Sequence, residues 1–253
     1  MQIFYDLNTW KQARFERPRE QTLGFVPTMG NLHLGHLSLI TQSQKENQDT
    51  LVSIFVNKTQ FNNPEDFLNY PRTLDADLEQ LENAGVRYCL VPKPEEIYLD
   101  DYRYQIHETT HPHQLEGKHR PGHFTGMLTV VMKLLQLTQP SRIYLGEKDF
   151  EQLTLIRQMV KAFFMNVDVI GCPTLRESSG LAYSSRNQRL SKQGLEKAAQ
   201  FAAIFHQTAS TAKTIQKLQD EDIQVEYIEE FHGRRFAAVY IENIRLIDNY
   251  AVT

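Results

Sequence analysis

Two histidines three residues apart, His33 and His36, end the segment Pro27-Thr28-Met29-Gly30-Asn31-Leu32-His33-Leu34-Gly35-His36, which lies between a strand-like run and a helical one. A helix N-terminus presents free backbone N–H groups and a partial positive charge, so it attracts anions. Imidazoles on one side of its first turn can donate to phosphate oxygens and follow the charge as it moves onto a leaving pyrophosphate. Gly35 would let a ligand approach the backbone closely. The same histidines could instead cap the loop or form part of a metal site. Further on, Gly180-Leu181-Ala182-Tyr183-Ser184-Ser185-Arg186-Asn187 sets two hydroxyls before a guanidinium, a combination suited to a mobile loop that clamps phosphates.

Three more segments carry polar groups just past predicted strands or in a loop. In Gly146-Glu147-Lys148-Asp149-Phe150-Glu151-Gln152, Lys148 could hold a phosphate. Asp149 could accept from a ribose hydroxyl, assist a magnesium ion or simply cap the following helix. After Ser53-Ile54-Phe55-Val56, the neutral amides of Asn57 and Gln60 could orient a small polar acid without adding charge. Arg120, in Glu116-Gly117-Lys118-His119-Arg120-Pro121-Gly122-His123-Phe124, is a second candidate contact for a phosphate or carboxylate.

Strands and helices must place these groups. Thr22–Val26, stopped by Pro27, and Leu51–Val56 read as strands, as do Tyr88–Val91, Ile143–Leu145 and Val167–Ile170. Ser38–Asn47 and Leu74–Ala84 read as helices, the second with Thr73 as N-cap and Gly85 just past its end. Met127, Val130, Val131, Leu134 and Leu135 mark one amphipathic helix, and Leu153, Ile156, Val160, Phe163 and Phe164 another. Alternation of strand and helix predicts an α/β fold, a parallel sheet with helices on both faces, whose ligands sit at the carboxyl ends of strands. The character changes at Cys172–Ser179, which reads as a linker; a long helical stretch over Ser191–Gln219 and strands at Gln224–Ile228 and Phe236–Ile241 follow. Residues 1–173 and 174–253 are therefore expected to form a larger domain and a smaller C-terminal α+β domain.

The bulk numbers narrow the classes. With 253 residues, 41% hydrophobic and 23% charged, the chain suits a globular protein of one or two domains. A net charge of −4, from 27 Lys plus Arg against 31 Asp plus Glu, argues against a general nucleic-acid binder. The apolar stretches are too short for a membrane span, and Met1–Trp10 has no secretory h-region. The two cysteines, Cys89 and Cys172, fit a reducing, cytoplasmic setting and read as small buried hydrophobes. His111-Pro112-His113, with His107, His119 and His123, matches no standard zinc spacing. Arg234-Arg235 reads as a solvated turn or strand edge.

Taken in order, the blocks VPTMGNLHLGH, SIFVN followed by QF, PEDFLNYPRTL, EGKHRPGHFTG, LGEKDFEQL and GLAYSSRN, with RLIDN near the C-terminus, closely resemble the pantoate–β-alanine ligase family of the nucleotidyltransferase superfamily. The resemblance implies a Rossmann-like first domain and a lid-like second one. It implies joining of pantoate to β-alanine through a pantoyl-adenylate, with ATP consumed, AMP and pyrophosphate released and magnesium required. By resemblance, Met29, His33, His36, Lys148, Ser184, Ser185 and Arg186 would contact the ATP phosphates, and Gly146 and Asp149 would hold the ribose. The catalytic set would be His33, His36, Lys148, Ser184, Ser185 and Arg186. Asn57, Gln60, Tyr70 and Gln152 would line the pantoate pocket with Arg120 near it, and the protein would be a cytoplasmic homodimer without nucleic-acid or membrane partners.

Two departures stand out. Lys58-Thr59 occupies the place of a usual proline and variable residue, adding an amide hydrogen and a charge beside the acid pocket. The C-terminal domain is shorter than the family's usual one. A plain nucleotidyltransferase would lack the Asn57, Gln60 and Gln152 set, and a degenerate binder would have lost His36, Lys148 or Arg186; all are present.

Overall fold

β-Branched and aromatic runs, buried on both faces, make the central strands of this chain. The computed structural model describes all residues except 19, 111–113, 208–209 and 253. The elements run β1 (Gln2–Phe4), α1 (Leu7–Glu16), β2 (Leu23–Thr28), α2 (Leu34–Glu46), β3 (Asp49–Ile54), α3 (Pro64–Leu68), α4 (Leu74–Asn83), β4 (Tyr88–Leu90), α5 (Pro94–Ile97), α6 (Leu115–His119), α7 (His123–Thr138), β5 (Arg142–Gly146), α8 (Phe150–Ala162) and β6 (Asp168–Cys172). Then follow α9 (Lys192–Phe205), α10 (Thr211–Asp220), β7 (Gln224–Phe231), β8 (Arg234–Ile241) and β9 (Ile244–Ala251).

Strands β1 to β6 form one parallel sheet in the order β1-β4-β3-β2-β5-β6. From β2 the chain winds outward through β3 to β4, then returns to the other side of β2 for β5 and β6. With right-handed crossovers, that reversal sets α2 and α4 on one face and α7 and α8 on the other. It also makes the carboxyl ends of β2 and β5 a topological switch point, where ligands bind in open α/β sheets. The fold is the expected Rossmann-like one. One face of the core joins Val26, Leu39, Ile40, Val52, Leu81 and Cys89, and α7 is buried at Met127, Val130, Val131, Leu134 and Leu135.

Chain contacts divide the protein into two units, Met1–Glu147 with Glu151–Cys172, and Lys148–Phe150 with Pro173–Thr253. The turn Lys148–Phe150 thus groups with the C-terminal residues, whereas the sequence placed it in the first domain. In the second unit β7, β8 and β9 form an antiparallel sheet. Its core gathers Phe201 and Phe205 of α9 and Leu218 of α10 against Ile228, Val239 and Leu246.

The structure corrects several expectations. Pro27 does not stop β2, which pairs through Pro27↔Ser53 to Thr28↔Ile54. Pairing with β5 ends at Phe25↔Ile143, while Thr28 O faces β3, accepting from Phe55 N at 3.0 Å. N–H and C=O of one residue point the same way in a parallel strand, so the missing Pro27 donor falls on the unpaired side. The stripe of α8 ends early: Phe163 is 53% and Phe164 96% exposed. Phe164 takes φ 54, and Met165 N bonds Val160 O at 3.0 Å, closing the helix with a left-handed residue as C-terminal motifs require. The single long helix expected over Ser191–Gln219 is two, because Ser210 caps a fresh start, its side chain accepting from Lys213 N. Arg235 is no solvated turn: it lies in β8, 5% exposed, and bonds Glu230 and the Tyr250 hydroxyl. The linker-like segment is a closed turn in which Glu177 N bonds Leu181 O at 2.8 Å and Gly180 N bonds Glu177 O at 2.9 Å.

Candidate active site

The turn between β2 and α2 is held by buried acceptors. Gly30 (φ 77) and Asn31 (φ 50) adopt left-handed backbone in succession, turning their amides toward one side. The Asp77 carboxylate, fully buried at the start of α4, receives the amides that follow: Asn31 N donates to Oδ2 at 2.9 Å and Leu32 N to Oδ1 at 2.7 Å. Thr73 Oγ donates to Oδ2 at 3.1 Å. Thr28 Oγ donates to Ser53 O at 2.8 Å and accepts from Gly30 N at 3.2 Å. A Cβ on Gly30 would stand 2.9 Å from Asp77 Oδ2, so the turn admits no side chain there.

On this base His33 is the N-cap residue of α2, and its own side chain makes no capping hydrogen bond. The rings of His33 and His36 stack with centroids 4.0 Å apart. Two imidazoles thus flank a helix N-terminus at the carboxyl end of β2, the arrangement that suits phosphate oxygens. Met29 is half-buried in the same turn.

One strand over, β3 delivers the amide pair. A single 3-10 turn, Lys58–Gln60, follows it. Asn57 is 1% exposed, and its Nδ2 donates to Gln60 Oε1 at 3.0 Å and to Gly126 O at 3.2 Å. Lys58 is exposed, so its charge points to solvent, and the turn closes through Phe61 N to Lys58 O at 3.2 Å. The N-terminal end of α7 packs tightly on this turn: a Cβ on Gly126 would lie 2.3 Å from Thr59 O. Arg120 is brought to the same place. Its guanidinium contacts Glu116 Oε2 at 3.3 Å, His123 Nε2 at 3.1 Å and Gln60 O at 3.4 Å. A carbonyl only accepts, so His123 Nδ1, 2.8 Å from Gln60 O, carries the ring proton and Nε2 accepts from Arg120. Tyr70 is 5% exposed and packs edge-on against Phe61, centroids 5.5 Å apart. Gln152 is half-buried on α8, beside Glu151, whose carboxylate accepts from Glu116 N at 3.2 Å.

The second unit carries the cationic and hydroxyl set. Lys148 follows Gly146, the last residue of β5, and its ammonium lies 3.5 Å from Asp149 Oδ2. Asn249 Nδ2 holds the Lys148 carbonyl at 2.7 Å, while Asn249 Oδ1 accepts from Arg234 at 2.6 Å. In the Ser184–Asn187 turn, Arg186 N donates to Ser184 Oγ at 3.3 Å and Asn187 N to Ser184 O at 3.0 Å. Ser185 is buried rather than displayed on an open loop. Nearby Asp248, 3% exposed, receives a bidentate Arg176 at 2.7 and 2.8 Å and His206 at 2.9 Å. Burial raises its carboxyl, but the His206 and Arg176 hydrogen bonds outweigh burial and leave it below the ordinary range.

The sequence assigned no supporting role to Asp77, Gly126, His123 or Asn249, nor to Tyr98, whose hydroxyl donates to Asn57 Oδ1 at 2.6 Å. In the sequence Asp77 is one of two acids, with Asp75, in the first turn of α4, and Gly126 and Asn249 are letters of matching blocks. His111-Pro112-His113 lies outside the described residues. Among the described residues, no group of three or more His, Cys, Asp or Glu side chains could hold a metal ion.

Comparison with known proteins gives the family. The family described as pantoate-beta-alanine ligase matches residues 2–251. The chain is 57% identical to a pantothenate synthetase of Legionella pneumophila (strain Lens) over 250 residues, 99% of each chain. It is 48% identical to one of Coxiella burnetii (strain Dugway 5J108-111) over 243 residues, 96% of this chain and 94% of the relative. Among solved structures it is similar to a Francisella tularensis pantoate-beta-alanine ligase complexed with beta-gamma ATP and beta-alanine, with TM-score 0.96, 43% identity and 99% and 97% coverage. A Thermus thermophilus pantothenate synthetase superposes with TM-score 0.88 at 35% identity, covering 99% of both.

Proposed function

The chain belongs to the pantoate–β-alanine ligase family, and we propose that it joins pantoate to β-alanine through a pantoyl-adenylate, consuming ATP and releasing AMP and pyrophosphate. One observation carries the reading: two binding sets stand at the carboxyl ends of neighbouring strands, the stacked His33 and His36 after β2 and the Asn57–Gln60 amides after β3. A plain nucleotidyltransferase needs only the first set.

In the first step a pantoate carboxylate oxygen attacks the ATP α-phosphorus, the bond to the β,γ-pyrophosphate breaks, and a mixed anhydride forms. In the second the neutral amine of β-alanine attacks the acyl carbon, the C–O bond to phosphate breaks, the amide forms, AMP leaves and the ammonium proton passes to solvent. Both steps need positioning and charge stabilisation rather than a protein nucleophile. His33, His36, Lys148, Ser184, Ser185 and Arg186, with Met29 alongside, serve the phosphates. Gly146 and Asp149 serve the ribose. Asn57, Gln60, Tyr70 and Gln152 hold pantoate, with Arg120 at its edge. Magnesium enters bound to the ATP phosphates, as part of the substrate. Residues 174–253 act as a lid that keeps water from the adenylate. We further propose a cytoplasmic homodimer without nucleic-acid or membrane partners; among the described residues no helix is long and apolar enough to cross a membrane.

The test is a drop-out assay with ATP, magnesium, pantoate and β-alanine, following AMP and pantothenate by mass spectrometry. Pantothenate should appear only in the complete mixture, matched by AMP and not ADP. Its absence there, with ATP still bound, would overturn the reading in favour of a binding protein.

A further inference from the structure

We propose that the hydroxyls of Tyr98 and Thr59 are positioning groups: they lock the Asn57 amide, which in turn holds Gln60 with its Nε2 turned outward as a hydrogen-bond donor to the acid substrate. The inference deepens the proposed function and rests on it for the identity of the acid.

The orientation follows from one obligatory acceptor. The Gly126 carbonyl cannot donate, so the Asn57 atom 3.2 Å from it is the NH2 group, Nδ2. The Gln60 atom 3.0 Å from the same Nδ2 must accept, and is therefore Oε1. Asn57 Oδ1 then faces the other way, where Tyr98 OH donates to it at 2.6 Å and Thr59 Oγ at 3.0 Å. Both acceptor sites of that oxygen are used. Turning the amide over would set its oxygen against the Gly126 carbonyl and Gln60 Oε1, two acceptors with no proton to share. With Oε1 engaged, the Gln60 Nε2 is the group left to meet a ligand, and an NH2 facing a ligand selects an acceptor such as a carboxylate or hydroxyl oxygen.

Tyr98 is itself held. Its ring packs against Phe55, centroids 6.4 Å apart, and edge-on against Tyr102 at 5.4 Å. The Lys133 ammonium sits 5.0 Å from the ring centroid. Burial pushes the phenol up to about 12, so it keeps its proton and stays a donor through the working pH range. Thr59 follows Lys58, the residue that stands in place of the family's usual proline, and itself occupies the variable position. Its hydroxyl gives the amide a second donor, while the Lys58 charge lies exposed.

The experiment compares wild type with Tyr98→Phe, Thr59→Val and the double variant, with Thr59→Ser as the variant that restores a hydroxyl. Each single loss should raise the pantoate KM by about 5- to 10-fold, the size of one hydrogen bond, and the double by more, with the ATP KM and the melting temperature nearly unchanged. Thr59→Ser should return the KM to wild type. A folded double variant with unaltered pantoate KM, or one in which the ATP KM moves equally, would overturn the proposal. A second readout does not depend on the acid: the side-chain amide protons of Asn57 in 15N NMR. They should be resolved in the wild type and exchange-broadened in the double variant, and unchanged resonances would overturn the proposal. Wild type without pantoate-dependent exchange of pyrophosphate into ATP would instead sink the functional reading. The amide resonances would then still decide whether the two hydroxyls lock Asn57.

Discussion

Lys148 is the residue whose type alone says most, because an ammonium at the end of β5 has little structural work to do there. Lys148→Ala should lower kcat by about 10²- to 10³-fold, some 3–4 kcal/mol, the loss expected for a charge-stabilising donor. Single-turnover formation of pantoyl-adenylate checks it, and near-normal turnover would remove the role. The cysteines make the opposite prediction. Both are buried and free; burial, with Asp77 nearby, pushes the Cys89 thiol up to about 12, and burial with Glu46 and Glu147 pushes Cys172 to about 11. Few thiolates exist at pH 8, so a maleimide should label neither in the folded protein and both in urea. At this scale the sequence pointed to candidate ligand-binding groups, since a histidine or lysine carries its chemistry in its type. It gave Asp77 and Tyr98 no such role, because their partners Leu32 and Asn57 lie 45 and 41 residues away in the chain.

Helix α7 and the turn after β3 fit each other through one missing side chain. Gly126→Ala would set a Cβ against the Thr59 carbonyl and 2.8 Å from Gln60 N. Backbone cannot yield as a flexible side chain does, so the variant should lose about 1–3 kcal/mol of stability and raise the pantoate KM. Melting curves and steady-state kinetics check this together; a rise in neither would mean the turn is looser than its contacts indicate. β9 supplies a pH-dependent contact through Asp248. Its folded carboxyl lies below the ordinary value, so between the two values the unfolded chain binds a proton that the folded chain does not. Its stabilisation is complete above the ordinary carboxylate range of about 4 and is lost as pH falls through the lowered value. Asp248→Asn should cost roughly 2–3 kcal/mol at pH 7, less than a fully buried pair because Arg176 and His206 are partly exposed. The gap between urea melts of mutant and wild type should narrow as pH falls below the ordinary carboxylate range of about 4; a constant gap would contradict the linkage. The elements themselves were largely legible, α4 with its Thr73 cap and Gly85 stop above all, because caps and periodicity are local. The early end of α8, the passage of β2 through Pro27 and the break between α9 and α10 were not, since each depends on a neighbour in space or a local start that propensity does not distinguish.

For the whole molecule, the lid role proposed for residues 174–253 predicts that ATP with pantoate slows amide hydrogen exchange across Ser184–Asn187 more than either ligand alone, and equal protection by ATP alone would argue against it. The shorter C-terminal part is no peculiarity of this chain, since the Legionella relative matches over 99% of its own length. By itself the sequence determined the parallel α/β class, most of its strands and helices, and the ordered blocks that mark the family, because these rest on local periodicity and on residue types in a fixed order. Only the tertiary structure decided which way the Asn57 amide faces, which nitrogen of His123 holds its proton, that Asp77 receives the signature turn and that Asn249 holds the Lys148 carbonyl. Those outcomes depend on hydrogen-bond partners far away in sequence, and a donor finds its acceptor only after the sheet has set the strands side by side.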